Sequence, residues 1–441
     1  MKSQFIISAP TSNAGKTTIT LGLLRLLKEK KIATQPFKVG PDYIDPKFHE
    51  LASGKPGVNL DLYMMDKDEI EHDLVHYGND CQVNCIEGVM GLFDGAKRSE
   101  RSTAELAVKT KTTVVFVVDA KAVAYSVAPL IQGFKNFDKN VKIVGVLFNR
   151  VGSERHYNFL KEACEDIGVP TFGYLKNMPD VEIPSRHLGL DIANIQQFDE
   201  AISRIASEME KTVDWELLLQ ATTVENSIKK TKIPLVKKAN YRFAVAKDEA
   251  FNFCYQQTIR TMGNMGEVTY FSPLNDDQLP KADFVYLPGG YPELYLEQLS
   301  ANQSMRKSLK DYVDNNGKVF AECGGMMYLG KKIINKKQEV FDMVGVFDFS
   351  TSMENSKLNL GYRTYEDGER ELKGHEFHYS SLKNNQQASL KSKLLNARGK
   401  EVDTPIFKKK NAMASYVHFY LGNQDSLLSL MKSLELHENI H

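Results

Sequence analysis

The chain has one tryptophan, five cysteines and no net charge. The cysteines (Cys81, Cys85, Cys164, Cys254 and Cys323) are scattered and odd in number, which excludes a disulfide scaffold. A reducing cytoplasm is the expected location. Cys81 and Cys85 have no second pair of ligands near them, which argues against a zinc site. Lys+Arg and Asp+Glu both number 56, so no overall basic field points to nucleic acid or to an anionic membrane surface. Long apolar runs are missing too. The richest stretch, residues 113–131, contains Asp119 and Lys121 and is no membrane span. The opening residues run straight into a strand, without the basic start and apolar run of a signal peptide.

What is present is a two-part α/β pattern over 441 residues. In the first half, apolar runs of strand length alternate with helical ones. Several of these runs are β-branched without polar alternation, which predicts strands buried on both faces in a parallel, doubly wound sheet. A basic stretch with Pro234 at 226–240 predicts a linker between a domain at 1–225 and another at 241–441. The second strand–helix series starts at Tyr241, with a helix expected over 250–262.

The first strand leads into Pro10-Thr11-Ser12-Asn13-Ala14-Gly15-Lys16-Thr17-Thr18 and then a helical run. That is the setting of a phosphate-binding loop. Backbone N–H groups from Ser12 to Thr18 would face a polyphosphate at a helix N-terminus. Lys16 would reach the β/γ-phosphates, and the Thr17 hydroxyl would hold Mg²⁺. The motif asks for glycine where this chain has Pro10. Ligands of doubly wound sheets lie beyond the strand C-termini, and four acids fall there: Asp42, Asp45, Glu87 and Asp94. Singly, each reads as a solvated loop or a helix cap. Together, beside a phosphate loop, they point to a site. Mg²⁺ takes one or two carboxylates with phosphate oxygens and water, and Glu87 and Asp42 are the expected ligands.

Cys323 follows a short apolar strand and precedes Gly324, Gly325 and a helical MMYLG. Strand, nucleophile, small residues and helix is the logic of a nucleophile elbow. A thiol at a helix N-terminus is expected to have a lowered pKa. Backbone N–H groups at Gly289, Gly290 and Gly324 are candidate oxyanion donors. A lone cysteine is usually a small buried hydrophobe, which is the reading for Cys164 and Cys254. Cys323 needs a base, and His375, His378 and His418 are the candidates.

The stretches SAPTSNAGKTTITLGLLRLL, QPFKVGPDYIDPKFHE, IEGVMGLFDG, LPGGYPELY, AECGGMMYL, GHEFHYS and SYVHFYL together resemble the cobyrinic acid a,c-diamide synthase family of corrinoid biosynthesis. The likeness covers almost the whole chain. KVGPDYIDP with AECGGMMYL is its specific pairing; cobyric acid synthase and dethiobiotin synthetase share the phosphate loop but not this pair. The resemblance implies an N-terminal domain similar to dethiobiotin synthetase, binding ATP and Mg²⁺, and a C-terminal class I glutamine amidotransferase domain. It implies Cys323 as nucleophile with His418 as base, and Asp42, Glu87 and Asp94 as acids of the synthetase site. It also implies Tyr43 and Asp45 in a substrate loop and Asn149 as an adenine-reading residue.

The implied substrates are a tetrapyrrole carboxylate, L-glutamine and ATP, with no nucleic-acid or membrane partner. The implied reaction is amidation of the a and c carboxylates of cobyrinic acid through an acyl phosphate, with ammonia from glutamine passing inside the protein. Class I enzymes usually carry Glu two residues after the histidine. This chain has Tyr420 there, so the third member of the site is open. Hydrogenobyrinic acid and nickel sirohydrochlorin are the alternative macrocycles. The rival from another class is a regulatory P-loop ATPase with an inactive amidotransferase-like domain, against which an intact Cys323 and His418 argue.

Overall fold

Strand β1 (Lys2–Ser8) is buried from Ser3 onward, with apolar side chains on both faces, and so belongs inside a sheet covered on both sides. The computed structural model describes residues 2–181, 183, 192–224, 240–354, 356–366, 371–383 and 393–435. Contacts divide the chain into two compact units, Met1–Pro234 and Leu235–His441. The expected linker at 226–240 lies outside the described residues, Asn240 excepted. Among the described residues, no helix is long and apolar enough to cross a membrane.

In the first unit β1 is followed by α1 (Lys16–Glu29), β2 (Thr34–Val39), α2 (Asp45–Ser53), β3 (Val58–Leu60), α3 (Lys67–Gly78) and β4 (Val83–Glu87). Then come α4 (Thr103–Thr110), β5 (Thr113–Asp119), α5 (Val127–Phe137), β6 (Ile143–Val151), α6 (Glu154–Asp166) and β7 (Thr171–Lys176). Helices α7 (Asp199–Thr212) and α8 (Trp215–Ala221) and the short β8 (Thr223–Val224) complete it. The sheet order is β3-β2-β4-β1-β5-β6-β7, all parallel, with β8 antiparallel to the start of β1. The chain winds to one side of β1 as far as β4 and to the other side from β5 on. A crevice therefore opens beyond the C-terminal end of β1. Polar caps start the helices: Asp66 and Glu69 form a capping box on α3, and Ser102 and Ser153 cap α4 and α6. Helix α1 crosses α7 closely at Gly22, where a Cβ would sit 2.5 Å from Ile205 Cγ2.

The second unit begins β9 (Tyr241–Ala246), α9 (Gln256–Met265), β10 (Gly266–Phe271), β11 (Phe284–Leu287), α10 (Leu296–Ala301), α11 (Gln303–Asp314), β12 (Val319–Glu322) and α12 (Gly324–Leu329). Short strands follow: β13 (Lys332–Ile334), β14 (Val340–Asp342), β15 (Ser350–Ser352), β16 (Asn359–Glu366), β17 (Glu371–His378), β18 (Ser381–Lys383) and β19 (Lys393–Asn396). The unit ends with β20 (Ile406–Lys409), β21 (Ala412–Ser415), β22 (Val417–Phe419) and α13 (Gln424–Glu435). Its main sheet runs β10-β9-β11-β12-β21-β20, parallel except for β20. Strands β14-β13-β15-β18 and β19-β16-β17-β22 form two smaller sheets. Both units are thus α/β, the first a doubly wound parallel sheet.

One expected helix starts late. Residues 250–255 precede α9 instead of opening it. Asp248 Oδ1 accepts from Ala250 N and Phe251 N, and the N–H groups of Asn252 and Phe253 both donate to Gly289 O. Those donors are committed to a turn and to a neighbouring loop, so they cannot start a helical ladder.

Candidate active sites

The first site grows from register. Ile7 of β1 and Lys38 of β2 both pair with Glu87 of β4. Paired residues on adjacent strands face the same way, so a lysine and a glutamate meet at the strand ends. Lys38 Nζ donates to Glu87 Oε1 at 2.7 Å and is also paired with Asp45, the first residue of α2. Thr17 Oγ1 donates to the same Oε1 at 2.6 Å, and His49 Nε2 lies 2.7 Å from Oε2. Lys38, Asp45, His49 and Glu87 are all buried. Burial pushes the Glu87 carboxyl up and Asp45 adds to that. The Lys38 ammonium and the His49 hydrogen bond outweigh both, and the net pKa lies below the ordinary value.

The phosphate loop sits directly above. Gly15 has φ +92, and a Cβ there would overlap Asn149 Nδ2, so glycine is required at that point. Asn149 donates to Ala14 O at 3.1 Å, and Arg150 donates to Asn13 O at 3.0 Å and Asp119 Oδ2 at 2.6 Å. The loop is thus pinned from β6. Lys16 Nζ donates to Met90 O at 2.5 Å and Thr11 O at 3.2 Å. A cavity of about 620 Å³ opens here, lined by Ser12, Asn13, Gly15, Lys16, Thr17, Thr18, Lys38, Asp45, Glu87 and Asn149 among others. Ala14 lies buried beneath it.

Asp42 and Asp94 each accept backbone hydrogen bonds in their own turns. Asp42 Oδ1 accepts from Ile44 N at 2.9 Å and Asp45 N at 3.1 Å, fixing the turn that starts α2 and carries the half-buried Tyr43. Asp94 is exposed, and its Oδ2 accepts from Gly91 N at 2.9 Å in the turn after β4. Asp45, not Asp42, is therefore the carboxylate joined to Glu87 through Lys38. Sequence reading missed Lys38 and His49. A lysine inside an apolar strand, QPFKV, was the signal for the first. For the second it was the i,i+4 spacing from Asp45 on one helix face.

The second site grows from the turn between β12 and α12. Cys323 sits there with φ +43, a strained conformation for a residue with a Cβ, as an elbow demands. Its N–H donates to Ser415 O at 2.8 Å, which ties the elbow to β21. The thiol is buried, with Sγ 3.7 Å from Phe377 O. The expectation of a lowered thiol pKa is overturned. Burial pushes it far up, Glu293 adds to that, and the Gly324 N–H offsets only part. Helix α12 has only six residues, too short to reverse this.

The three histidines separate by their partners. His378 is held at both ring nitrogens, by Ser380 O at 2.9 Å and Glu376 Oε1 at 2.8 Å. His375 Nδ1 lies 3.1 Å from Tyr255 OH, and burial beside His418 and Arg363 drives its pKa well below the ordinary value. His418, paired in register with His375, stacks on it at 4.9 Å. A Cβ on Gly289 would overlap His418 Cε1, so that glycine clears room for the ring. The same loop meets the elbow, because a Cβ on Gly324 would lie 3.0 Å from Gly290 N. Gly289 O is held by Asn252 and Phe253. In a trans peptide the Gly290 N–H points away from those two donors.

Glu322, the residue before the cysteine, is fully buried. Its Oε2 accepts from Tyr286 OH at 2.7 Å and lies 3.3 Å from His418 Nδ1. Its Oε1 accepts from Phe419 N at 3.0 Å. Tyr420, where an acid is usual, is buried with its ring against Tyr255.

Comparisons with known proteins agree with this two-site layout. Residues 5–190 match the model for the CobQ/CobB/MinD/ParA nucleotide binding domain, and residues 242–426 the model for the CobB/CobQ-like glutamine amidotransferase domain. Cobyrinate a,c-diamide synthase from Caldanaerobacter subterraneus subsp. tengcongensis is 39% identical over 432 residues, 95% of each chain. The chain belongs to the cobyrinate a,c-diamide synthase family. The Listeria innocua enzyme of that name is 39% identical over 97% of this chain and 98% of its own. Hydrogenobyrinate a,c-diamide synthase from Rhizobium meliloti is 37% identical over 94% of this chain and 98% of its own. Membership makes the chain a ligase that takes its amide nitrogen from glutamine and uses ATP. Two solved structures overlap it too weakly to bear on the fold. They are chloroplast FtsY from Physcomitrella patens (TM-score 0.31, 12% identity, 46% of this chain and 65% of that one) and a glutamine amidotransferase (0.30, 14%, 44% and 97%).

Proposed function

We propose that the chain amidates the a and c carboxylates of cobyrinic acid, activating each as an acyl phosphate and capturing it with ammonia released from glutamine at Cys323. The observation that carries this is the coexistence of two built sites. One is the Thr17–Glu87–Lys38–Asp45 cluster beside Lys16, and the other is the Cys323 elbow beside His418. A carboxylate has no leaving group that ammonia can displace, so the first site must make one. Lys16 turns from its carbonyl partners to the β/γ-phosphates of ATP and stabilises the transferring phosphoryl group. The loop N–H groups hold the polyphosphate, with Asn149 on the nucleoside side.

Thr17 and Glu87 are hard oxygen donors 2.6 Å apart at the loop, a set that fits Mg²⁺. Asp45 is the second carboxylate within reach. Bound there, Mg²⁺ would neutralise phosphate charge. Lys38 and His49 keep Glu87 ionised and oriented. Tyr43 and Asp94, on the turns flanking the cluster, are the contacts proposed for the macrocycle.

At the second site, His418 takes the Cys323 proton as sulfur attacks the glutamine amide carbon. The Gly290 and Gly324 N–H groups, with Gly289 shaping their loop, face the oxyanion. The C–N bond breaks, the proton goes to the leaving nitrogen, and water releases glutamate from the thioester. A second reading rests on the Rhizobium meliloti relative, whose name specifies hydrogenobyrinate.

Cys323→Ser tests the proposal. It should abolish amidation driven by glutamine and spare amidation driven by ammonium, with cobyrinic and hydrogenobyrinic acids assayed side by side. If the wild type consumes no glutamine with either macrocycle, the proposal fails.

A further inference from the structure

We propose that Glu322 is the positioning residue of the Cys323–His418 pair, taking the place of the acid that position 420 lacks. This rests on the amidase reading of that site. The geometry is specific. Glu322 ends β12, so its backbone and that of the nucleophile are set by the same strand. Its carboxylate lies 3.3 Å from His418 Nδ1, an ion-pair contact rather than an aligned hydrogen bond, and catalytic contacts of this kind tighten only when the reacting complex forms. Both oxygens are otherwise held: Oε1 by Phe419 N, the residue after the histidine, and Oε2 by Tyr286 OH from β11. A carboxylate gripped from two neighbouring strands cannot swing away from the imidazole.

The consequence is a choice of tautomer. With Nδ1–H toward Glu322, the nitrogen left to accept the thiol proton is Nε2. The His375 ring, stacked at 4.9 Å with a 16° tilt, and Gly289 fix the ring plane. Once His418 is protonated, the nearby carboxylate stabilises the imidazolium. Among the described residues no other fits the role. Glu376 is engaged by His378, Arg363 and Thr404, and Tyr420 carries no acid. The acid thus sits next to the nucleophile in sequence, where the usual spacing from the histidine would not find it.

Glu322→Gln and Tyr286→Phe are assayed with glutamine and with ammonium chloride as nitrogen sources. Glu322→Gln is expected to lower glutamine-driven kcat by about 10²-fold. KM for glutamine and ammonium-driven amidation should be unchanged. The glutaminase pH profile should change shape as well, because a neutral amide then replaces the carboxylate beside the imidazole. Tyr286→Phe should act in the same direction but less. The inference is overturned if Glu322→Gln keeps wild-type kcat and pH profile. It is equally overturned if Glu322→Gln loses both activities together while Tyr286→Phe leaves the glutamine profile unmoved. Failure of the amidase reading itself would show in the wild type, which would then not consume glutamine.

Discussion

Replacing Lys38 with methionine removes the ammonium that joins two buried carboxylates. The Lys38, Asp45 and Glu87 side chains are 2%, 9% and 1% exposed, so water replaces the lost partner only poorly. Breaking a buried pair from one side costs about 3–5 kcal/mol, because the remaining charge is left uncompensated. At about 2–4 °C per kcal/mol for a unit of 150–250 residues, the midpoint should fall by about 6–20 °C. The single tryptophan makes this measurable. Trp215 lies in α8 and packs against the core of the first unit, so its fluorescence follows that unit.

The pH dependence gives a second, sharper test. In the wild type, Glu87 has a folded pKa below the ordinary 4.5. Its contribution to stability is complete above that value and is lost as pH falls through the depressed one. Without Lys38, burial dominates and the folded pKa rises above the ordinary value. Stability should then increase as pH falls through that raised pKa, reversing the sign of the slope. Adding Glu87→Gln and Asp45→Asn to Lys38→Met should restore most of the loss. A midpoint within 2 °C of wild type, about 1 kcal/mol or less, or an unreversed slope, would refute the reasoning.

Glu293 is half-buried on the loop that packs over Gly324, and burial pushes its carboxyl up to about 7. Above that pH its charge opposes the Cys323 thiolate. Glu293→Gln should therefore make Cys323 react faster with iodoacetamide above about pH 7 and equally fast below it, where the wild-type carboxyl is already neutral; superimposed rate–pH profiles would reject this. Gly289→Ala places a methyl group where His418 Cε1 lies. Glutamine-driven kcat should fall about 10²-fold with ammonium-driven amidation intact, and equal loss of both would mean that the damage is not local.

How much of this was legible depends on which interactions are local in sequence. The phosphate loop is contiguous, so Gly15, Lys16 and Thr17 could be read directly. Strand C-termini mark the ligand side of a doubly wound sheet, so Glu87 could be read as well. Lys38 and His49 left only a faint signal, the apolar setting of one and the helical spacing of the other. Their roles follow from the β2–β4 register and from α2 folding back over it, and register is a tertiary property. Asp42 and Asp45 sit three residues apart, and either could have faced the cluster. In the structure Asp42 Oδ1 caps Asp45 N, and the Asp45 carboxylate is the one paired with Lys38. The thiol pKa went the other way from expectation because a dipole argument sees only the helix. Burial and three nearby carboxylates act on Cys323 as well.

Each site ends a parallel strand with a buried glutamate, yet the two carboxyls are tuned in opposite directions. Glu87 faces a permanent cation, Lys38, and its pKa is lowered. Glu322 faces a neutral phenol, a backbone N–H and a histidine, and burial outweighs them, so its pKa is raised. The difference follows the chemistry asked of each. A carboxylate that helps hold a metal beside ATP must stay ionised whether or not the metal is present, and a lysine ensures that. A carboxylate that supports an imidazolium need be at its most anionic only while that imidazolium exists. Coupling its charge to His418 stores no excess negative charge beside a thiol that must ionise. A fixed cation at Glu322 would compete with His418 for the carboxylate, and a second anion there would push the thiol higher still. The partners found at each strand end, ammonium at one and phenol at the other, are those that this division requires.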